Sequence, residues 1–180
     1  MINKDAFSNG QIDSKLWLCE TLESLKWSSK LTQIYAGWYG LTAFLLLTRN
    51  QFKVDRIESY DVDPTCETIA DMINENWVIK NWQFKAFTQD CNQTLPGLPD
   101  LVINTSTEHF TSKQWFDNIR SGTRVILQGN NMPHDDHHIS SESLLKFKKE
   151  YPLSSFVFEG EKLFSYPTWS FTRYMIIGIK

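Results

Sequence analysis

Residues 34–64 constrain the fold of this chain more than any other stretch. An apolar strand ends at Tyr35, a turn with two glycines covers 36–40, an apolar helix covers 41–47, and a second strand, 54–60, leads into Asp61. The offset from Gly40 to Asp61 is 61 − 40 = 21 residues. That offset is close to the roughly 20 residues between turn glycines and a ribose-binding carboxylate in nucleotide-binding βαβ units. The stretch therefore predicts such a unit, although simple solvation at a strand end is the other reading of Asp61.

The rest of the chain repeats this alternation of strands and helices. Asp13 or Ser14 is a candidate cap for a helix running to about Lys26. Asp63 caps a helix that starts at Pro64 and keeps apolar residues at helical spacing through Trp77, and a further helix covers 141–151. The predicted strands are 31–35, 54–60, 83–87, 100–103, 125–127, 155–158 and 174–179. Five β/α repeats followed by a strand pair predict an α/β fold with a doubly wound, mainly parallel, seven-stranded sheet and a C-terminal antiparallel pair.

Length and charge favour one ordinary folded domain over residues 1–180, with 1–30 as a helical lead-in. The net charge of −3 gives no basic excess, so nucleic acid is not favoured as a partner. The run 41–47 is too short to span a bilayer and the first residues are polar, which predicts a soluble cytoplasmic protein. Three isolated cysteines indicate neither a disulfide framework nor a zinc site.

Ligands of doubly wound sheets bind beyond the carboxyl ends of the strands. The loops predicted to line one cleft are therefore 36–40, 61–63, 88–92, 104–109 and 128–138. The chain lacks the G-x-G-x-x-G fingerprint of dinucleotide-binding folds, the Y-x-x-x-K pattern of many short-chain dehydrogenases and the P-loop pattern. A short uncharged turn suits a ligand without phosphates.

In these features the chain resembles the class I, Rossmann-like S-adenosylmethionine-dependent methyltransferases, of the small single-domain type found in bacteria and phages. The resemblance rests on the segments 36–40, 60–64, 88–91 and 103–109, and it extends from the first strand to Ile179. It implies S-adenosylmethionine as cofactor and a methyl acceptor, most simply a small molecule. It gives no indication of the oligomeric state.

The resemblance also implies roles for particular residues. The turn would pass under the methionine and ribose portions, Asp61 would bind the ribose hydroxyls, Val62 would lie against the adenine, and Asp90 would accept the adenine amino group. The implied cofactor-binding residues are Ala36, Gly37, Trp38, Tyr39, Gly40, Asp61, Val62, Asp63, Asp90, Cys91, Asn104, Thr105 and Ser106. Helix capping is a complete alternative explanation for Asp63, and a plain turn position is one for Asp90.

One position departs from the family pattern. Enzymes of this class usually have an acidic residue at the end of strand one, where this chain reads Ile34-Tyr35-Ala36. Two alternatives to methyl transfer therefore stay open. In one, S-adenosylmethionine is itself the substrate of a lyase or cyclase reaction, and in the other the chain is a non-catalytic cofactor-binding protein.

Candidate catalytic residues follow the fourth and fifth strands. Glu108 and His109 lie where acceptor chemistry occurs in this fold, and His109 or His138 suits the removal of a proton from an acceptor. The alternative for the first two is that Glu108 caps or salt-bridges the next helix while His109 packs beneath it. The run 134–138, His-Asp-Asp-His-His, is read as a surface loop and not as a metal site, because adjacent residues of an extended loop point apart.

Overall fold

A computed structural model describes residues 2–180 of the chain. Over these residues it contains six α-helices and seven strands. The helices are α1 (Asn9–Leu25), α2 (Leu41–Arg49), α3 (Pro64–Ile73), α4 (Glu75–Ile79), α5 (Gln114–Asp117) and α6 (Leu144–Glu150). The strands are β1 (Ser28–Tyr35), β2 (Lys53–Asp61), β3 (Phe84–Thr88), β4 (Leu101–Asn104), β5 (Arg124–Asn130), β6 (Ser155–Tyr166) and β7 (Trp169–Ile179).

Within residues 2–180 the strands form one seven-stranded sheet of order β3-β2-β1-β4-β5-β7-β6. β2 is parallel to both β1 and β3, whereas β7 is antiparallel to both β5 and β6. All four residues of β4 are buried, as a strand covered on both faces requires. The predicted α/β sheet with a C-terminal antiparallel pair is confirmed.

The chain divides into two compact units. The first runs up to Cys91 and includes Leu95–Leu101, and the second holds Asn92–Thr94 and Val102–Lys180. The single domain predicted from the sequence stays a prediction. Within residues 2–180, none of the helices is both long enough and apolar enough to cross a bilayer.

The first unit holds strands β1 to β3 and helices α1 to α4. Its α3 begins as predicted, because Asp63 accepts a hydrogen bond from Thr65 N and Pro64 occupies the first turn. The helix predicted through Trp77 is interrupted at Asn74, whose side chain donates to the carbonyls of Gly40 and Ala70. The cap of α1 is Ser8, five residues before the expected Asp13, and Ser8 O accepts the first helical hydrogen bond from Ile12 N.

The second unit ends in a hairpin of β6 and β7. The two late strands were expected over 155–158, with an extension toward Phe164, and over 174–179. They pair along their whole length, from Ser155–Ile179 to Tyr166–Trp169, around a turn at 167–168. Aromatic pairs across the strands, such as Phe164 with Phe171, explain the extension. β6 is the last strand of the sheet order and exposes Val157 and Leu163. β5 likewise extends to Asn130, so the predicted loop 128–138 begins three residues late.

Candidate functional site

The turn between β1 and α2 has an unusual backbone. Ala36, Trp38 and Gly40 have φ angles of 49°, 48° and 73°, in the left-handed region. For residues with a Cβ this conformation costs of order 1–3 kcal/mol unless the surroundings hold it, and such positions cluster at functional sites. Two backbone bonds hold it here: Gly37 N donates to Tyr60 O at 3.0 Å, and Gly40 N donates to Gly37 O at 2.9 Å.

Asp61 is the third restraint on this turn. Its Oδ2 accepts Trp38 N at 2.9 Å, and its Oδ1 accepts Asp63 N at 3.0 Å. Burial raises the pKa of the Asp61 carboxyl above its ordinary value, and the N–H donors of Asp63 and Trp38 oppose that rise. The carboxylate at the end of β2 therefore fixes the turn at the end of β1, a structural role that the sequence reading did not include.

The two glycines of the turn are required by packing within the protein. A Cβ on Gly37 would fall 2.0 Å from Ser59 Oγ, and a Cβ on Gly40 would fall 2.7 Å from Asn74 Nδ2. Both distances are far below van der Waals contact. The glycines thus let β2 and the end of α3 approach the turn, and their approach to a ligand stays a prediction.

The two aromatic residues of the turn lie against the N-terminal segment of the chain. Tyr39 is buried in a cluster with Ala6 and Cys66, and its hydroxyl oxygen accepts Asn3 N at 3.3 Å. Trp38 is half-buried and packs against the same cluster. Because the Tyr39 side chain is directed into protein, the predicted ligand contact of this residue concerns its backbone.

The loop after β3 meets the same end of the first unit. Gln89 N donates to Asp61 O at 2.8 Å, and the Ala36 backbone hydrogen-bonds the Cys91 side chain. Burial raises the pKa of the Cys91 thiol to about 12, whereas Asp90 is half-buried. Beside Asp61, the Val62 side chain is 71% exposed. The segments 36–40, 61–63 and 88–91 are thus brought together as predicted.

In the second unit the residues after β4 are tightly packed. Asn104 is fully buried; its Oδ1 accepts Ser106 N at 2.9 Å, while its Nδ2 has no hydrogen-bond partner among residues 2–180. Thr105 is buried and Ser106 is half-buried. Thr105 O accepts Arg173 Nη1 at 2.9 Å. The amide of Asn104 therefore has a buried donor that the described residues leave unused.

Glu108 lies at the centre of a buried polar network. It is 2% exposed, and its Oε1 accepts the Asn130 amide and lies 3.6 Å from Arg173 Nη2. Burial lowers the pKa of the Arg173 guanidinium, and Glu108 opposes that effect. Glu108 Oε2 has no hydrogen-bond partner among residues 2–180. The expected ion pair of Glu108 is thus present, but with a residue of β7 and not with the following helix.

The loop 130–139 is held against the segment 107–109. His138 N and Ile139 N both donate to Glu108 O, at 2.8 and 3.2 Å. The side chain of His138 is exposed, whereas His137 packs edge-on against His109 with ring centroids 4.9 Å apart. Desolvation lowers the pKa of the His109 ring, although the residue as a whole is exposed; Glu108 opposes the shift. The structure therefore groups His137, not His138, with the two other catalytic candidates.

Arg173 and Asn130 were missed at the sequence level, and His137 was read only as part of the surface loop 134–138. Arg173 has one visible signal, a charge next to the apolar run 174–177 of a strand, which indicates a buried partner. Asn130 has no such signal, because a separation of 22 residues from Glu108 carries no periodic pattern. His137 had the signal of the His-Asp-Asp-His-His run, which does not show which of its members meets Glu108.

Comparisons with known proteins identify the fold. Neither protein-family models nor curated protein sequences match this chain. Solved structures do. The N-methyltransferase NodS from Bradyrhizobium japonicum WM9, in complex with S-adenosyl-L-homocysteine, matches with a TM-score of 0.70 at 11% identity, over 95% of this chain and 88% of that one.

Two further structures agree with the first. Magnesium protoporphyrin IX methyltransferase (ChlM) from Synechocystis PCC 6803 with bound SAM matches with a TM-score of 0.70 at 14% identity, over 99% of this chain and 85% of that one. The YcgJ protein from Bacillus subtilis matches with a TM-score of 0.66 at 15% identity, over 93% and 98%. The chain has the Rossmann-like fold of class I S-adenosylmethionine-dependent methyltransferases, as the sequence resemblance implied.

Proposed function

We propose that this protein is an S-adenosylmethionine-dependent methyltransferase that acts on a small-molecule acceptor. The observation that carries the proposal is the strained turn 36–40. The carboxylate of Asp61 holds this turn by accepting a hydrogen bond from Trp38 N, and the next residue, Val62, is exposed. This arrangement occurs in a fold shared over 95% of the chain with an N-methyltransferase crystallised with S-adenosyl-L-homocysteine. The cytoplasmic location inferred from the sequence stays a prediction.

The residues of the first unit fit an adenosyl group. A carboxylate has about four lone-pair positions, and each oxygen of Asp61 uses one of them for a backbone N–H, so each can still accept a ribose hydroxyl. Val62 offers an exposed apolar surface for the adenine ring. Asp90, half-buried next to Cys91, is the proposed acceptor for the adenine amino group.

The methionine end has less obvious partners. The strand-end position that is acidic in the family is Tyr35 or Ala36 here, and Tyr35 is buried. The backbone of Ala36–Gly40 and the polar groups of Asn104, Thr105 and Ser106 are the proposed contacts. Asn104 Nδ2 is a buried donor without a partner among residues 2–180, so a ligand acceptor would satisfy it.

Bound S-adenosylmethionine supplies an activated methyl group and a good leaving group. The protein then needs to hold the acceptor in line and, for an oxygen or nitrogen nucleophile, to accept a proton. Glu108, His109 and His138 are the proposed residues for these tasks. The buried ion pair with Arg173 fixes Glu108, and His109 follows it in the chain within the short 3₁₀ turn Thr107–His109.

Calorimetric titration with S-adenosylmethionine and with S-adenosylhomocysteine tests the proposal. We expect both to bind well below millimolar concentration, and the absence of binding by either compound would refute the cofactor assignment. Incubation with S-adenosylmethionine alone should leave the compound intact. Release of methylthioadenosine without an acceptor would instead favour the lyase alternative, and binding without turnover over a broad acceptor panel would favour the non-catalytic one.

A further inference from the structure

Three potential metal ligands converge in the second unit. Glu108, His109 and His137 each place one ligand atom within 4.8 Å of the other two. Two of these residues are adjacent in the 3₁₀ turn Thr107–His109, and the third comes from the loop after β5. The backbone bonds of His138 N and Ile139 N to Glu108 O hold that loop in place. The backbone hydrogen bonds therefore keep the segments that carry the three side chains next to each other.

Backbone groups orient both imidazole rings. His137 Nδ1 lies 2.8 Å from Met132 O, so this nitrogen is the protonated one and Nε2 is left as an acceptor. The backbone of Asp136 hydrogen-bonds the His109 ring. A metal-binding histidine characteristically donates its other N–H to a carbonyl or carboxylate, which fixes the tautomer and the direction of the ring. Both histidines have this support.

The carboxylate of Glu108 is divided between two roles. Its Oε1 is engaged by Asn130 and Arg173, and its Oε2 is buried without a hydrogen-bond partner among residues 2–180. An unsatisfied buried carboxylate oxygen is costly, and a cation is the group that offsets this cost most directly. Arg173 balances the charge of Glu108 from one side, while Asp136 adds negative charge close to His109.

We propose that Glu108, His109 and His137 form a binding site for a divalent transition metal such as Zn²⁺. Two imidazoles and one carboxylate are donors that suit Zn²⁺, Co²⁺ or Fe²⁺ better than Mg²⁺ or Ca²⁺. Metal–donor bonds of about 2.1 Å in a tetrahedral site separate the donors by about 3.4 Å. The ligand atoms, within 4.8 Å of one another, thus need to approach by up to about 1.4 Å through side-chain rotation, and a water or an acceptor group would complete the coordination.

This site does not depend on the proposed methyltransferase activity, because none of its ligands belongs to the residues assigned to the cofactor. It bears on that activity through Glu108 and His109, which are also proposed catalytic residues. A ring nitrogen that binds a metal is not available as a general base, so an occupied site would assign proton removal to a metal-bound water or to His138.

Zinc titration of the untagged full-length protein, treated with a chelator and then dialysed, tests the proposal. We expect one Zn²⁺ per chain by calorimetry, and a visible absorption band from bound Co²⁺ that Zn²⁺ abolishes. His109→Ala and His137→Ala should each weaken Zn²⁺ binding by about 100-fold or more, since even outer-shell substitutions cost 10–100-fold. Thermal unfolding of each variant verifies that the fold is kept.

His134→Ala is the matched control. It removes an exposed imidazole of the same loop whose ring packs against that of His137, with centroids 5.3 Å apart, but which is not one of the three ligands; it should leave the affinity within about threefold of the parent. A parent protein that binds no Zn²⁺ overturns the proposal. Equal losses in His134→Ala and His137→Ala overturn it too, because they would indicate adventitious binding by surface histidines. Both results are read without S-adenosylmethionine, so a failure of cofactor binding leaves them unchanged.

Discussion

Replacing Asp61 is expected to lower both the free energy of unfolding and the affinity for S-adenosylhomocysteine, and the two effects can be measured separately. Asp61→Ala removes the acceptor of two backbone N–H groups, from Trp38 at 2.9 Å and from Asp63 at 3.0 Å. Hydrogen bonds to charged groups contribute about 1.5–3 kcal/mol each. We expect a loss of about 3 kcal/mol in the free energy of unfolding, the low end for two such bonds, because the change also removes a partly buried charge.

Two further variants serve as comparisons for Asp61→Ala: Asp61→Asn is a milder change at the same position, and Asp55→Ala is a control. Asparagine keeps one acceptor oxygen, so it should lose about 1–1.5 kcal/mol. Asp55 is an exposed carboxylate on the same strand, and its removal should change stability by less than about 0.5 kcal/mol. Urea unfolding measures all three. An Asp61→Ala protein that unfolds at the same urea concentration as Asp55→Ala would refute the role of Asp61 in fastening the turn.

Ligand binding gives the second measurement on the same variants. If the ribose hydroxyls bind Asp61, Asp61→Ala should raise the Kd for S-adenosylhomocysteine by about 10- to 140-fold, which corresponds to 1.5–3 kcal/mol. Asp55→Ala should leave that Kd unchanged. An Asp61→Ala protein that is destabilised yet binds with the parent's affinity would assign this carboxylate to structure alone.

Three further predictions follow from buried contacts. Gly37→Ala should lower the free energy of unfolding by about 1–3 kcal/mol, because the new Cβ overlaps Ser59 Oγ. Adding Ser59→Ala should recover part of that loss in urea unfolding, and a double variant no more stable than the single one would contradict this. Arg173→Met should lower the free energy of unfolding by about 3–5 kcal/mol, because it leaves the Glu108 carboxylate without its ion-pair partner. The double variant with Glu108→Gln should lose less than the sum of the two single losses in urea unfolding, and strictly additive losses would argue against the ion pair. Burial raises the pKa of all three cysteine thiols to about 12. A thiol reagent should therefore label the folded protein very slowly at pH 8 and faster as the pH rises, and rapid labelling of the native state at pH 8 would refute the burial.

Local patterns explain why most of the fold was predictable. The order of apolar strands, turn residues and caps from Tyr35 to Pro64 fixed the first βαβ unit, and Asp63 capped α3 as expected. Errors occurred where distant contacts decide the ends of elements. Asn74 interrupts a helix because its amide reaches the Gly40 carbonyl, and β6 extends because it finds partners along β7. Neither contact leaves a trace in the neighbouring residues.

The candidate site was predictable to a similar degree. Strand ends placed the segments around Asp61 and Cys91 together, because the carboxyl ends of parallel strands share one edge. The same reasoning pointed to Glu108 and His109. It could not find Arg173 or His137, since their proximity to Glu108 arises from the packing of β7 and of the loop after β5.

The position of β6 has a consequence for how the chain behaves in concentrated solution. This edge strand of 12 residues presents main-chain hydrogen-bond donors and acceptors with which a strand of another polypeptide can pair. The exposed side chains of Val157 and Leu163 would add apolar contacts to such a pairing. Charges along the same strand oppose such self-association: Glu159, Glu161 and Lys162 would each lose hydration in a stacked pair of edges. Salt screens these charges, so aggregation through this edge should become easier as ionic strength rises.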